Sequence, residues 1–186
     1  MCDLSSNLII VSGPSGAGKD TVVNQVLKLD DRLSLSVSAT SRNVRGDEKD
    51  GVNYYFLSEK EFLEKVDNNE FIEYAQYGSS YYGTLKSDVL KRIENGKKVI
   101  LVIEVQGAEK VKKMYPNALS VFIMPPSMEV LEKRLRSRKT DTQEAILKRL
   151  EIAENEIKKS VNYDYIVVND VLETAVNELY NIINNK

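Results

Sequence analysis

Apolar residues cluster in five short segments that predict the strands of a central sheet. Four of them are nearly continuous runs at residues 8–11, 99–103, 119–124 and 165–168, and in the fifth Leu33, Leu35 and Val37 alternate with polar residues. Continuous runs are typical of strands that are buried on both faces, as in parallel sheets. Helical stretches separate the segments, so the pattern predicts an α/β fold with a parallel five-stranded core sheet and helices on both faces.

The first apolar run leads into a glycine-rich turn that carries a nucleotide-binding spacing. Residues 13–19 read GPSGAGK, which matches G-x-x-x-x-G-K between a strand and a helix. Such a loop wraps phosphate oxygens in backbone N–H groups, and the lysine adds a positive charge. A plain glycine-rich turn would not require the lysine or this spacing. We therefore predict a P-loop NTPase-type fold and an ATP site formed by Gly13, Pro14, Ser15, Gly16, Ala17, Gly18, Lys19, Asp20 and Thr21.

The residue after the P-loop lysine departs from the usual pattern. Asp20 stands where a Ser or Thr normally contacts magnesium, and Thr21 follows it. Either side chain offers an oxygen that a hard cation accepts. Mg²⁺ is the predicted cofactor, and the sequence leaves open which of the two side chains ligates it.

Two regions interrupt the regular alternation of strands and helices. Residues 38–95 are rich in Asp, Gly and Tyr with short strand-like pieces, which indicates a small inserted α+β subdomain. Residues 127–159 read as two arginine-bearing helices joined by a polar turn, which we interpret as a mobile helical lid. Ser127 is the predicted cap of the first of these helices. The chain is then one domain, 1–186, with its core formed by residues 1–37, 96–126 and 160–186.

Composition removes several classes of function. The chain of 186 residues has no His and one Cys, which excludes a zinc site and a Cys/His nucleophile. Its formal net charge of −2 argues against a general nucleic-acid surface, and no apolar run is long enough to span a membrane. The N-terminal residues lack the basic start and cleavage site of a secretory signal, so we expect a cytoplasmic protein.

A series of motifs along the whole chain is similar to guanylate kinases. The shared segments, in order, are residues 13–19, 38–45, Glu48 with Gly51, Tyr54 and Phe56, then residues 69–73, 81–84, 106–107, 125–127, 134–140, 148–150 and 169–170. The resemblance implies ATP-dependent phosphorylation of GMP and dGMP, with release of ADP, in purine nucleotide metabolism and GMP recycling. ATP and GMP are the expected partners, and the oligomeric state stays open between monomer and homodimer.

The resemblance also implies a GMP site in the inserted subdomain. Its residues are Ser38, Arg42, Arg45, Glu48, Tyr54, Glu73, Tyr82, Thr84 and Glu104. Two arginine forks and two phenols suit a phosphate dianion. The Glu73 carboxylate can accept from the guanine N1–H and 2-amino groups together, and hydroxyl groups can donate to O6. Single members of this set could equally be surface charges or packing residues.

The family likeness assigns the catalytic roles to cations. Arg134, Arg138 and Arg149 correspond to lid arginines that close over the transferring phosphoryl group beside Lys19, and Asn169 is the candidate for adenine. The attacking group is already a phosphate oxygen, so positioning and electrostatics suffice and no general base is needed.

One further departure concerns the strand that leads to Glu104. Related enzymes commonly carry Asp or Glu where this chain has Val102, so we hypothesise that Asp20 supplies a carboxylate that Val102 does not. A guanylate-kinase-like binding module is the main rival function, although such modules generally have a degraded P-loop. A P-loop kinase that acts on AMP is the second rival, against which Glu73 and the Arg42/Arg45 region argue.

Overall fold

The computed structural model describes residues 4–137 and 142–185, which form two sheets and seven α-helices. In chain order the strands are β1 (Leu8–Ser12), β2 (Leu33–Leu35), β3 (Ser38–Thr40), β4 (Tyr55–Phe56), β5 (Phe71–Tyr77), β6 (Ser80–Leu85), β7 (Lys98–Val102), β8 (Leu119–Met124) and β9 (Tyr165–Val168). The helices are α1 (Lys19–Val26), α2 (Glu59–Asp67), α3 (Lys86–Glu94), α4 (Val105–Met114), α5 (Met128–Ser137), α6 (Gln143–Lys158) and α7 (Leu172–Asn184).

The central sheet is parallel, with strand order β2-β7-β1-β8-β9. Alternation along β1 divides the core: Ile9 and Val11 pack in one buried cluster with α1 and α7, whereas Leu8 and Ile10 pack in the other with α3 and α4. Because both of their faces are covered, β1, β7 and β8 are nearly continuous apolar runs. The predicted five-stranded parallel sheet with helices on both faces is confirmed.

Residues 38–85 build a second sheet beside the first, with strand order β4-β3-β6-β5. The apolar residues Ala39, Phe62, Phe71 and Leu85 form its small core, to which α2 contributes Phe62. The next helix, α3, instead buries Val89 and Ile93 in the core of the central sheet. The packing therefore changes partner near the start of α3, and the boundaries at 38 and 95 stay predictions.

A buried carboxylate joins the two sheets. The Asp88 side chain accepts hydrogen bonds from the Val37 backbone N–H at 3.1 Å, from the Tyr55 hydroxyl at 2.9 Å and from Arg92 Nε at 2.8 Å. Arg92 also donates to Ser34 Oγ at 2.8 Å. One network thus links β2, the following segment, β4 and α3, and no sequence pattern indicates it.

Helices α5 and α6 pack on each other through Leu131, Leu135, Ile146 and Ala153. Ser127 Oγ accepts from the Val130 N–H at the start of α5, which confirms the predicted cap. The predicted lid residue Arg138 lies outside the described residues. Among the described helices, none is long and apolar enough to cross a bilayer.

Candidate active site

The P-loop lies between β1 and α1, against the end of β8. Gly13 has φ 143°, and a Cβ there would collide with the backbone carbonyl oxygen of Ile123. Gly18 has φ 90°, and a Cβ there would collide with the side-chain amide of Asn169. Both positions need glycine because the backbone is left-handed and its neighbours touch it directly. The Lys19 ammonium lies across the loop, donating to the Gly13 oxygen at 2.6 Å and the Pro14 oxygen at 3.1 Å.

Two long-range contacts fix the C-terminal end of this loop. Asn169 Nδ2 donates to the Ala17 oxygen at 2.8 Å, and Arg134 donates through Nη2 to the Asn169 oxygen at 2.8 Å. A cleft of about 340 Å³ opens beside them, which we call the donor cleft; its lining residues are Gly16, Gly18, Thr21, Arg134, Ser137, Asn169, Asp170 and Leu172. Arg134 and Asn169 thus border the loop, as their prediction as site residues requires.

The candidate metal ligands lie on the first turn of α1, and both are exposed. Thr21 lines the donor cleft, whereas Asp20 is not one of its lining residues. Within residues 4–137 and 142–185, no group of three or more His, Cys, Asp or Glu side chains could hold a metal ion by itself. This sparse oxygen donor set fits Mg²⁺, which keeps several waters and is bound through one or two protein oxygens together with substrate phosphates.

A second cavity, which we call the acceptor cavity, lies between the second sheet and the carboxyl end of β7. It measures about 360 Å³ and is lined by Ser38, Tyr54, Glu73, Ala75, Tyr77, Tyr82, Gly83, Val102, Ile103 and Glu104. Strand register brings two of the lining residues, Ser38 and Glu73, close together. Both pair with Thr84, Ser38 across β3 and β6 and Glu73 across β5 and β6. Residues that are far apart in sequence therefore form one cross-strand row.

Glu73 is the buried acid of the acceptor cavity, with 7% of its surface exposed. Burial raises the pKa of its carboxyl above the usual value; the hydrogen bond from Thr84 Oγ1, 2.7 Å long, opposes this rise and the nearby Glu104 carboxylate adds to it. The Thr84 hydroxyl is fully buried and directed at Glu73. The Thr84 hydroxyl therefore orients the acid in this structure, and its contact with the base stays a prediction.

Glu104 caps the helix that follows β7. Its carboxylate accepts from the backbone N–H groups of Gln106 at 2.8 Å and Gly107 at 2.6 Å, at the positive end of α4. A Cβ on Gly107 would lie 3.1 Å from Glu73 Oε2 and 3.4 Å from Glu104 Oε1. The absence of a side chain at this glycine lets the two carboxylates approach the same point.

Glu48 holds Arg42 next to Tyr54, one of the lining residues of the acceptor cavity. Two short hydrogen bonds, of 2.7 and 2.6 Å, join the guanidinium to the carboxylate, and Glu48 also accepts from the Arg45 backbone N–H at 2.9 Å. This pairing lowers the pKa of Glu48 to about 2. Arg42 also lies 4.9 Å above the Tyr54 ring, which contacts the Tyr82 ring edge to face. Glu48 therefore positions the arginine loop, and its place in the GMP site stays a prediction.

A family profile described as guanylate kinase matches residues 5–186. This chain belongs to the guanylate kinase family. It is 48% identical to the guanylate kinase of Carboxydothermus hydrogenoformans over 172 residues, which cover 92% of this chain and 84% of the relative. It is 47% identical to the guanylate kinase of Hydrogenovibrio crunogenus over 179 residues, covering 96% and 87% of the two chains.

Solved structures agree with this assignment to the guanylate kinase family. The crystal structure of guanylate kinase from Anaplasma phagocytophilum superposes with a TM-score of 0.75 and 36% identity, covering 97% of this chain and 86% of that one. A shikimate kinase from Bacteroides thetaiotaomicron, at 15% identity, superposes with a TM-score of 0.54 over 95% of this chain and 98% of its own. The second likeness shows the fold alone. The predicted family, fold class and kinase activity are confirmed.

In this guanylate kinase family member, the structure adds residues to the predicted set. Tyr77 lines the acceptor cavity, and strand alternation already indicated it, because residues 73, 75 and 77 of β5 point to one face. Glu156 comes from α6 and lies close enough to Lys19 and Glu104 to interact with both charges. Nothing in the sequence around it indicated this. Arg149 lies in the middle of α6 and is half-buried.

Proposed function

We propose that this chain transfers the terminal phosphoryl group of ATP to GMP, and that the P-loop and the acceptor cavity hold the two substrates. The observation that carries the proposal is the arrangement of β1 and β7. These strands are neighbours in parallel register with Val11 opposite Val102, β1 leads into the P-loop, and Val102 lines the acceptor cavity. Two phosphate groups bound at this common edge would meet, as direct transfer requires.

In the acceptor cavity we assign the nucleotide monophosphate to the cationic end and its base to the acidic end. Arg42, Arg45, Tyr54 and Tyr82 would bind the phosphate, with Glu48 holding Arg42 in place. Glu73 would accept from guanine N1–H and the 2-amino group while Thr84 orients it. Adenine lacks a donor at N1 and the 2-amino group. A buried carboxylate therefore selects guanine, because it would face an unpaired edge with the wrong base. Ser38 and Glu104 would complete the base contacts.

In the donor site, the residues act by binding and charge neutralisation. The loop amides and the Lys19 ammonium would bind the ATP phosphates, with Arg134, Arg138 and Arg149 around the transferring group. A phosphate oxygen of GMP forms the new P–O bond while the bond from the terminal phosphorus to the bridging oxygen breaks, so GDP and ADP result. Lys19 would leave the Gly13 and Pro14 carbonyls to reach the phosphates. Bound Mg²⁺ would supply further positive charge to the phosphate oxygens, with Asp20 or Thr21 as its protein ligand.

The decisive experiment measures ADP release from ATP and Mg²⁺ with GMP, AMP, CMP or UMP as acceptor. The test variant is Lys19→Ala, and the matched control is Lys28→Ala, an exposed lysine just beyond the same helix. We expect GMP-dependent release that is lost in Lys19→Ala and kept in Lys28→Ala. AMP turnover equal to that of GMP would contradict the role of Glu73. GMP binding without turnover would indicate that the chain is a binding module and not an enzyme.

A further inference from the structure

Two positions around the P-loop depart from the metal shell usual in P-loop proteins. In those proteins, Mg²⁺ is held by the Ser or Thr after the lysine and by an Asp on a core strand. Here Asp20 follows Lys19, and β7, the strand beside β1, ends with Val102. The hydroxyl ligand has become a carboxylate, and the neighbouring strand end has no oxygen to offer.

The environment of Val102 is apolar. Its side chain packs against the buried cluster that contains Val22 and Val23 of α1, and it also lines the acceptor cavity. Val102 therefore lies on the face of the sheet that α1 covers, at the edge where the P-loop begins. A side chain held by apolar packing on this face does not contribute to a metal shell.

The helix geometry separates Asp20 from Thr21. Successive residues of an α-helix are about 100° apart around its axis, so the two side chains leave α1 in different directions. Thr21 lines the donor cleft together with Asn169 and Asp170, on the side of the loop that Arg134 closes. Asp20 is exposed and occupies the position from which the P-loop hydroxyl normally reaches the metal. Of the two, Asp20 fits the metal and Thr21 fits the donor nucleotide.

Glu156 is an acidic side chain close to the P-loop lysine. It interacts electrostatically with Lys19, Lys159 and Glu104. A carboxylate at position 20 adds a further negative charge beside the place of the ATP phosphates. The added charge attracts a divalent cation and repels a phosphate, whereas a neutral hydroxyl distinguishes far less between them.

We propose that Asp20 makes donor binding conditional on the metal: its carboxylate ligates the cation of the metal–nucleotide complex and repels the metal-free nucleotide. This inference rests on the proposed function only in taking an adenine nucleotide as the donor. The carboxylate raises the affinity for the metal–nucleotide complex and lowers the affinity for the metal-free nucleotide. Its effect is therefore greatest on the ratio of these two affinities. A coupling of this kind is expected to change that ratio by about 5- to 150-fold.

The experiment measures ADP affinity by isothermal titration calorimetry, once with excess Mg²⁺ and once with EDTA, and without any acceptor. The variants are Asp20→Ser, which restores the hydroxyl, and Asp20→Asn, which keeps the size and removes the charge. The matched control is Asp31→Ser, which removes the same charge from an exposed turn beyond the other end of α1. Circular dichroism melting confirms that each variant is folded.

We expect metal-free ADP to bind at least about fivefold more tightly to both Asp20 variants than to the parent chain, with the control unchanged. Electron paramagnetic resonance with Mn²⁺ and ADP should show that Asp20→Asn retains less bound Mn²⁺. If Asp20→Ser leaves the ratio of ADP affinities with Mg²⁺ and with EDTA unchanged, the inference is overturned. It is also overturned if the substitution changes only the affinity measured with Mg²⁺. Loss of GMP-dependent turnover in the parent chain would instead reject the proposed function, since the titration contains no GMP.

Discussion

Replacing Glu73 by Gln is the sharpest test of the acceptor cavity, because it changes charge and proton pattern while keeping shape. Gln can still accept from the Thr84 hydroxyl, which lies 2.7 Å from Glu73 Oε1 in the parent chain. In Gln one of the two carboxylate oxygens is replaced by an NH₂ group. When the amide oxygen accepts from Thr84, the NH₂ group takes the place of Oε2, the oxygen that lies beside Gly107. One of the two acceptors for guanine is therefore replaced by a donor.

The expected loss follows from the hydrogen bonds. A hydrogen bond to a charged group contributes about 1.5–3 kcal/mol, and a donor facing a guanine donor adds a further cost. The second bond also weakens, since its acceptor is no longer charged. We expect a total near 3 kcal/mol, or roughly a 150-fold fall in kcat/KM for GMP. The KM for ATP should change little, because Glu73 lines the acceptor cavity and not the donor cleft.

Glu73→Gln should lower activity but leave the stability of the fold at neutral pH unchanged or higher. Burial raises the pKa of Glu73 in the folded protein, so the folded state binds the proton more tightly than the unfolded state does. Stability contributed by this group is present at low pH and is lost as pH rises through the folded pKa. At neutral pH the ionised carboxylate therefore destabilises the fold, and Glu73→Gln should melt at the same or a higher temperature. The difference should shrink as pH falls towards the raised pKa.

Steady-state kinetics with varied GMP and thermal melting across pH together check this reasoning. In the parent chain, GMP binding should weaken as pH falls towards the raised pKa of Glu73, and the variant should lose that dependence. A fall in kcat/KM of less than about threefold would refute the base-reading role. A lower melting temperature at neutral pH would show that the ionised carboxylate supports the fold, contrary to the burial argument.

Three further predictions test the loop, the arginine anchor and the joint between the sheets. Gly13→Ala should weaken ADP binding in calorimetry and cost about 1–3 kcal/mol in denaturant unfolding, since its Cβ would strike the Ile123 backbone; parent-like values in both would contradict this. Glu48→Gln should raise the KM for GMP about tenfold by releasing Arg42, and an unchanged KM in steady-state assays would reject the anchor. Asp88→Asn should cost about 3 kcal/mol in denaturant unfolding because a buried charge partner is lost, whereas a cost below about 1 kcal/mol would refute it.

Local physical chemistry accounts for the part of the fold that the sequence predicted. The central strands are nearly continuous apolar runs because both of their faces are buried, and this pattern is visible without the structure. The P-loop was recognised from seven successive residues, since glycine conformation and lysine charge act within one turn. Similarly, the sequence indicates Ser127 as a helix cap because the hydrogen bond spans only three residues.

The sequence indicates candidate site residues, but it does not indicate their partners within the protein. A sequence shows which side chains carry polar groups, but the partner of a polar group is set by packing. The family likeness assigns Thr84 to the base contacts, and in this structure its hydroxyl donates to Glu73. The likeness also assigns Glu48 to the GMP site, and in this structure it pairs with Arg42. In both cases the sequence indicates a polar residue of the candidate site, and only packing decides its partner within the protein.

The sequence by itself determined the family, the parallel sheet, the P-loop and the residue types around two substrates. Tertiary structure alone decided the cross-strand row that joins Ser38, Thr84 and Glu73, and the buried Asp88 network between the two sheets. It also decided the approach of Glu156 from α6 to Lys19. Each set joins residues from separate elements of the chain, and their interactions fall off within a few ångströms. Only the folded arrangement brings them close enough to interact.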